Sequence, residues 1–162
     1  MTKKYLVLLT LPIIILFACS KSSSSNNGCL STGGIPTAAE MADLRNYILS
    51  KGIVATEDSR GFYYSIVASG YGITAPTSSS TVQVRYKGKL TNEIVFDSTA
   101  AGSSRTFLLS GVILGWQYGV PLIRKGGVID LYLPPSLGYG CTASGTIPAN
   151  SILNFHIELI NY

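Results

Sequence analysis

The chain has 162 residues, 46% of them hydrophobic and only 12% charged, against roughly 25% charged in typical soluble domains, so it carries too much apolar material to stay disordered. Its formal charge is +4 and its 12 Lys and Arg are scattered rather than striped, which argues against a nucleic-acid partner. A single His removes most metal sites and most triad enzymes, while 17 Gly and 10 Tyr, with Val and Ile in short runs, indicate a turn-rich β composition.

At the N-terminus, Lys3 and Lys4 precede an apolar run from Tyr5 to Ala18. As a helix that run spans roughly 21 Å, short of a ~30 Å bilayer core. A charged start, a short apolar stretch and a small residue before a break describe a secretory signal. Leu16-Phe17-Ala18-Cys19 resembles the lipobox, in which the signal is cut before a Cys that then carries lipid. Residues 1–18 are therefore expected to be a lipoprotein signal peptide. Residues 19–36 are expected to be a lipidated tether, because the Ser- and Asn-rich stretch 20–28 cannot bury anything. The alternative is an ordinary cleaved signal with Cys19 incidental. The lipid reading puts the protein in the cell envelope, facing the periplasm, with the outer membrane as the expected anchor site. Cys29 and Cys141 remain; in an oxidising compartment they are either a disulfide or two unrelated thiols.

Thr37-Ala38-Ala39-Glu40 is a capping-box pattern. Met41, Leu44, Tyr47 and Ile48 share one helical face and Gly52 supplies a stop, so 38–51 is predicted to be a helix. It has no heptad series, so packing on its own domain is favoured over a dimerisation stalk, and a monomer is expected. From Gly61 the period changes to two. Strands are predicted at 62–67, at 81–90 with Gly88 marking a bulge or close approach, at 107–109, at 128–133 and at 152–160. Val112 to Ile123 holds Trp116 and one short helix. In the last strand Leu153, Phe155, Ile157 and Leu159 face inward, and Asn154, His156 and Glu158 outward. The fold class is α+β with an antiparallel sheet, divided as an N-terminal helical segment, 37–59, and a main domain, 60–162.

Six segments of the main domain carry a resemblance. They are Val84-Arg85-Tyr86-Lys87-Gly88-Lys89-Leu90, Val95-Phe96-Asp97-Ser98, Val112-Ile113-Leu114-Gly115-Trp116, Gly119 with Lys125-Gly126-Gly127, Pro134-Pro135-Ser136-Leu137-Gly138-Tyr139-Gly140 with Ile147-Pro148-Ala149-Asn150, and Leu153 with Phe155. In this order they resemble the FKBP-type peptidyl-prolyl cis-trans isomerases over 82–162. The resemblance implies a twisted antiparallel sheet wrapped around a short helix, with a pocket between them. It implies isomerisation of the peptide bond before proline, with no cofactor or metal. Carried over residue by residue, Asp97, Tyr139 and Trp116 would be catalytic, and Tyr86, Phe96, Val112, Ile113, Ile147 and Phe155 would bind substrate. Members of the human type carry a pocket Phe just before the short strand; Arg105 stands near there, and Phe107 takes the next inward position.

The residue types suit that chemistry. A twisted amide has lost conjugation and has a less polar carbonyl, so an aromatic pocket favours it over the planar, hydrated ground state. Proline would stack on Trp116, Tyr139 would donate its hydroxyl to a substrate carbonyl, and Asp97 would accept hydrogen bonds from Tyr86 or Arg105. The implied partners are proline-containing polypeptides, and with the signal-peptide reading these are exported ones. Two rivals stay open: a non-catalytic chaperone or docking module that grips proline segments, and a structural envelope lipoprotein with a decayed pocket. Taken singly, each aromatic residue is more often core than site; Asp97 is the exception, since an unpaired charge in an apolar stretch is costly. His156 is expected to be an exposed strand residue without a part in the chemistry.

Overall fold

The computed structural model describes residues 34–162. The signal, the tether up to residue 33, Cys19 and Cys29 lie outside them. Helix α1 spans Ala38–Ser50 and opens with the expected capping box: the Glu40 N–H donates to Thr37 Oγ1 at 3.2 Å, and the Thr37 N–H donates to Glu40 Oε2 at 2.7 Å. Beyond its C-cap, Lys51, the chain turns at Gly52, whose φ of 62° is open to glycine without strain. Seven strands follow: β1 Thr56–Asp58, β2 Phe62–Ala68, β3 Thr81–Leu90, β4 Val95–Ser98, β5 Arg105–Leu108, β6 Val128–Leu133 and β7 Leu153–Asn161. Helix α2, Leu114–Gly119, lies between β5 and β6. Strand β1 sits within the stretch read as helical and pairs with β2; three residues are too few to show a period.

The sheet runs β1-β2-β6-β7-β3-β4, with β5 also on β3, and every pairing is antiparallel. Alternation along β7 sends Leu153, Phe155, Ile157 and Leu159 to one face, where they are buried with Val82, Val84, Leu131 and Leu133 against α2. This is the α+β architecture expected, a sheet wrapped over a short helix. On the other face α1 packs Leu44 and Ile48 against Tyr63, with Tyr132 beside them. Among the described residues no helix is long and apolar enough to cross a membrane.

Helix α2 comes close to the sheet because its inward face carries glycines. A Cβ on Gly115 would collide with the head of Leu133, including Cγ at 2.8 Å, and one on Gly119 would lie 2.5 Å from Leu131 Cδ2. Both leucines are fully buried and cannot swing away. Alanine is about 1 kcal/mol better than glycine inside a helix, but overpacking a core costs about 1–3 kcal/mol. Gly115→Ala is therefore expected to lower stability by up to about 2 kcal/mol net, and Gly115→Ala with Leu133→Val to cost less than the two changes added. Urea unfolding of the four proteins checks this; additive losses would remove the close-approach argument.

Candidate active site

Strand β3 supplies the first side of the site. Its inward residues Val82, Val84, Tyr86, Gly88 and Leu90 alternate with exposed or half-buried ones. At Gly88 there is no side chain, and two rings occupy the space: a Cβ there would meet Phe96 at 2.6 Å and Phe155 at 2.8 Å. The register slips at the same point. Gly88 pairs with Asp97 and Lys89 with Val95, leaving Phe96 as the extra residue of a bulge. In a regular strand Phe96 and Asp97 would point to opposite faces. The bulge lets both reach the inner side, Phe96 onto Phe155 and Asp97 toward Tyr86.

The floor is the indole of Trp116, carried by α2 and almost fully buried. Three rings meet it edge to face: Tyr86 at 5.2 Å between centroids, Phe155 at 5.3 Å and Phe107 at 5.8 Å, all within 8° of perpendicular. Phe96 meets Phe155 in the same way at 5.4 Å. Such edge contacts are the favoured arrangement of aromatic quadrupoles. The Trp116 Nε1–H is buried without an acceptor among the described residues, so packing alone holds the ring. Gln117 donates from Nε2 to the Val112 carbonyl at 2.8 Å and secures the half-buried Val112 and Ile113 at the edge of the box. Ile147 closes it from a tight hairpin in which Ser144 and Ile147 exchange backbone bonds of 2.9 Å.

One wall is polar. Tyr86 Oη donates to Asp97 Oδ2 at 2.5 Å and accepts from Arg105 Nη1 at 2.7 Å; Arg105 Nη1 also reaches Asp97 Oδ1 at 3.2 Å. Asp97 and Arg105 are half exposed, so their ion pair contributes about 0–1 kcal/mol to stability. Its main effect is to hold the carboxylate in one orientation. Burial first, then the hydrogen bond to Asp97 and its charge, push the Tyr86 phenol up to about 12. Tyr139 stands on the rim, 41% exposed. Its phenol is also pushed up, first by burial and then by the Asp97 charge. The Asp97 charge is thus felt at Tyr139.

All the described residues singled out from sequence as catalytic or substrate-binding surround this one box or its rim. Arg105 and Phe107, two residues apart on β5 and both turned inward, complete it. Cys141, in the loop after Tyr139, is disulfide-bonded. His156 lies exposed on the outer face, its Nδ1 2.6 Å from Asp130 Oδ1, with the sheet between it and the box. A separate cleft of about 720 Å³ opens between Pro36, Arg60 and Tyr118, and the Asp58–Arg60 ion pair lines it.

A family model for FKBP-type peptidyl-prolyl cis-trans isomerases matches residues 72–160. The chain belongs to this family. The FKBP-type isomerase FkpA of Buchnera aphidicola subsp. Schizaphis graminum is 44% identical over 119 residues, 73% of this chain and 46% of that protein. The crystal structure of FkpA from Escherichia coli matches with a TM-score of 0.68 at 38% identity, over 76% of this chain and 59% of that one. A peptidyl-prolyl isomerase structure from Pseudomonas syringae pv. tomato matches with a TM-score of 0.65 at 28% identity, over 78% of this chain and 95% of that one. The chain spans about half or less of the curated relatives it matches.

The Tyr86 phenol of this FKBP-type site makes a pH prediction. An unfolded tyrosine titrates near 10, and folded Tyr86 holds its proton to about 12. The stability this provides is full below about pH 10 and is lost as pH rises toward 12. Urea midpoints measured from pH 9 to 11.5 should therefore fall less steeply in Tyr86→Phe than in the unaltered protein. Equal slopes would mean the phenol is not held in this way.

Proposed function

We propose that the protein is a peptidyl-prolyl cis-trans isomerase acting on exported proteins at the cell envelope. The observation that carries the activity is the Trp116 floor ringed by Tyr86, Phe107 and Phe155, with the oriented Asp97 carboxylate at one edge and Tyr139 at another. Amide resonance opposes rotation about the bond before proline with a barrier of ~18–20 kcal/mol. The half-rotated amide has lost that resonance, and its carbonyl is less in need of water. A dry aromatic box stabilises it relative to the planar, solvated state. Proline's ring lies on Trp116, with Val112, Ile113, Ile147, Phe96 and Phe155 enclosing the apolar part of the segment. Asp97, fixed by Tyr86 and Arg105, polarises the edge where the carbonyl turns. Tyr139 donates to a substrate carbonyl. No bond is made or broken, and no side chain has to change protonation.

The envelope reading rests on sequence: the charged start and apolar run of residues 1–18, Cys19 as lipid acceptor, and the polar tether to 36. We infer that Cys29 is the disulfide partner of Cys141, a bond that an oxidising compartment would preserve. The protein would then be a monomer held to the outer membrane by lipid and facing the periplasm.

Isomerisation of a proline peptide, and refolding of a protein limited by proline isomerisation, test the activity. Asp97→Leu should lower kcat/KM at least about tenfold and Tyr139→Phe about 3- to 10-fold, the sizes of a charge-assisted and a neutral hydrogen bond, with the far-UV spectrum unchanged. His156→Ala should have no effect, and kcat/KM should stay nearly flat from about pH 6 to 8 rather than form a bell. Binding of proline peptides without turnover would instead establish a docking module. For the anchor, Cys19→Ser should leave the signal uncut or release the protein from membranes. Unchanged size and fractionation would exclude lipidation.

A further inference from the structure

We propose that Glu40 is a positioning residue for the site: from helix α1, before the residues that match the family, it holds the turn that aims Tyr139. The proposal rests on the isomerase reading in giving Tyr139 a substrate contact, but the structural link stands on its own contacts.

The turn in question follows β6. Pro135–Leu137 form a single 3-10 turn, and Tyr139 comes two residues later. Pro135 has no N–H, so Ser136 presents the first free donor of the turn. Glu40 accepts it: Ser136 N–H donates to Oε1 at 2.9 Å, and Ser136 Oγ–H donates to Oε2 at 2.8 Å, across 96 residues of sequence. The same Oε2 takes the Thr37 N–H that closes the capping box. A carboxylate has room for about four donors, so capping α1 leaves enough acceptor capacity for the second element.

Beyond Ser136 the turn is rigid up to Tyr139. Leu137 is fully buried and serves as a plug. The N–H groups of Gly138 and Gly140 both donate to the Pro135 carbonyl, at 2.9 and 2.8 Å, and the Gly140 carbonyl accepts from Asn150 N–H at 2.8 Å. Tyr139 projects from between the two glycines. Its hydroxyl has no hydrogen-bond partner among the described residues, so no bond at its tip sets its direction, and the turn that carries it matters the more. Leu137 fixes the depth of the turn. Glu40 ties the start of the turn to α1 through its two bonds to Ser136.

The test uses the full protein and four variants: Glu40→Ala, Thr37→Ala, Tyr139→Phe, and Glu40→Ala with Tyr139→Phe. Thr37→Ala weakens the cap of α1 but leaves the Glu40 carboxylate on Ser136. Two measurements are made: kcat/KM on a proline peptide, and amide hydrogen exchange at Leu137, Gly138 and Gly140. Glu40→Ala should lower kcat/KM about 2- to 5-fold and speed exchange at the turn about tenfold or more. It should have no further effect on kcat/KM once Tyr139 is Phe. Thr37→Ala should speed exchange in α1 only and leave kcat/KM alone. Unchanged exchange at the turn in Glu40→Ala overturns the proposal whatever the activity does. So does an equal loss of kcat/KM in both Tyr139 backgrounds, which would mean that Glu40 acts by some other route. If the unaltered protein does not isomerise, the isomerase reading fails, and the exchange data still decide whether Glu40 holds the turn.

Discussion

Helix α2 is six residues long, too short to be stable by itself in water. What keeps it in place is contact with the sheet, and Gly115 and Gly119 set how close that contact is by admitting Leu133 and Leu131. Trp116 follows Gly115 directly, so the depth of the indole is determined by the same contact. A side chain on either glycine would lift the floor of the box away from Tyr86 and Phe155. The other close approach, at Gly88, works on the opposite wall, where Phe96 and Phe155 fill the space a Cβ would take. Three positions without side chains thus let rings and leucines meet at van der Waals distance, and the box is a consequence of that fit.

One polar arrangement occurs twice. At the site, Tyr86 donates to Asp97 and accepts from Arg105. Under α1, Tyr63 donates to Glu57 at 2.5 Å and accepts from Arg45 Nε at 3.1 Å. Each pairs a largely buried phenol with a carboxylate and a guanidinium nearer the solvent, and in each the phenol is pushed upward. The exposed ion pairs add little to stability; their value is directional. Arg45 and Glu57 fasten α1 to the β1–β2 hairpin, while Arg105 and Asp97 keep a charged edge on an apolar box. The same chemistry is a clasp in one place and a site wall in the other because only the second opens on a ring of aromatic side chains.

Helix α1 also belongs to the physics of the domain. Its inward face packs on Tyr63 and Tyr132, Tyr47 accepts from Asn154 Nδ2 at 2.7 Å, and Glu40 reaches the turn before Tyr139. The sheet is thus covered on both faces, by α2 on the side of the aromatic box and α1 on the other. Glu40 is thus a direct link from α1 to that turn.

Local pattern was enough for helix α1 and the longer strands, but not for β1 and β4. The capping box, the alternation of β3 and β7, the Pro134-Pro135 stop after β6 and the amphipathic face of α1 each depend on residues a few positions apart, and each is visible in the chain read alone. So was the membership of the box, because its segments keep the order of a known family. The arrangement inside the box was not. Alternation sends Phe96 and Asp97 to opposite faces, and only a bulge, set by which residues of β3 and β4 pair, brings both to the site. Strand β1 is too short to show a period and exists because β2 is there to pair with it. Glu40 reads as a helix cap, and its second partner lies 96 residues away. Sequence by itself determined the longer elements and the kinds of side chain available. The register between strands, the depth of Trp116 and the hold of α1 on the Tyr139 turn were decided by tertiary structure, since each depends on distances between residues far apart in the chain.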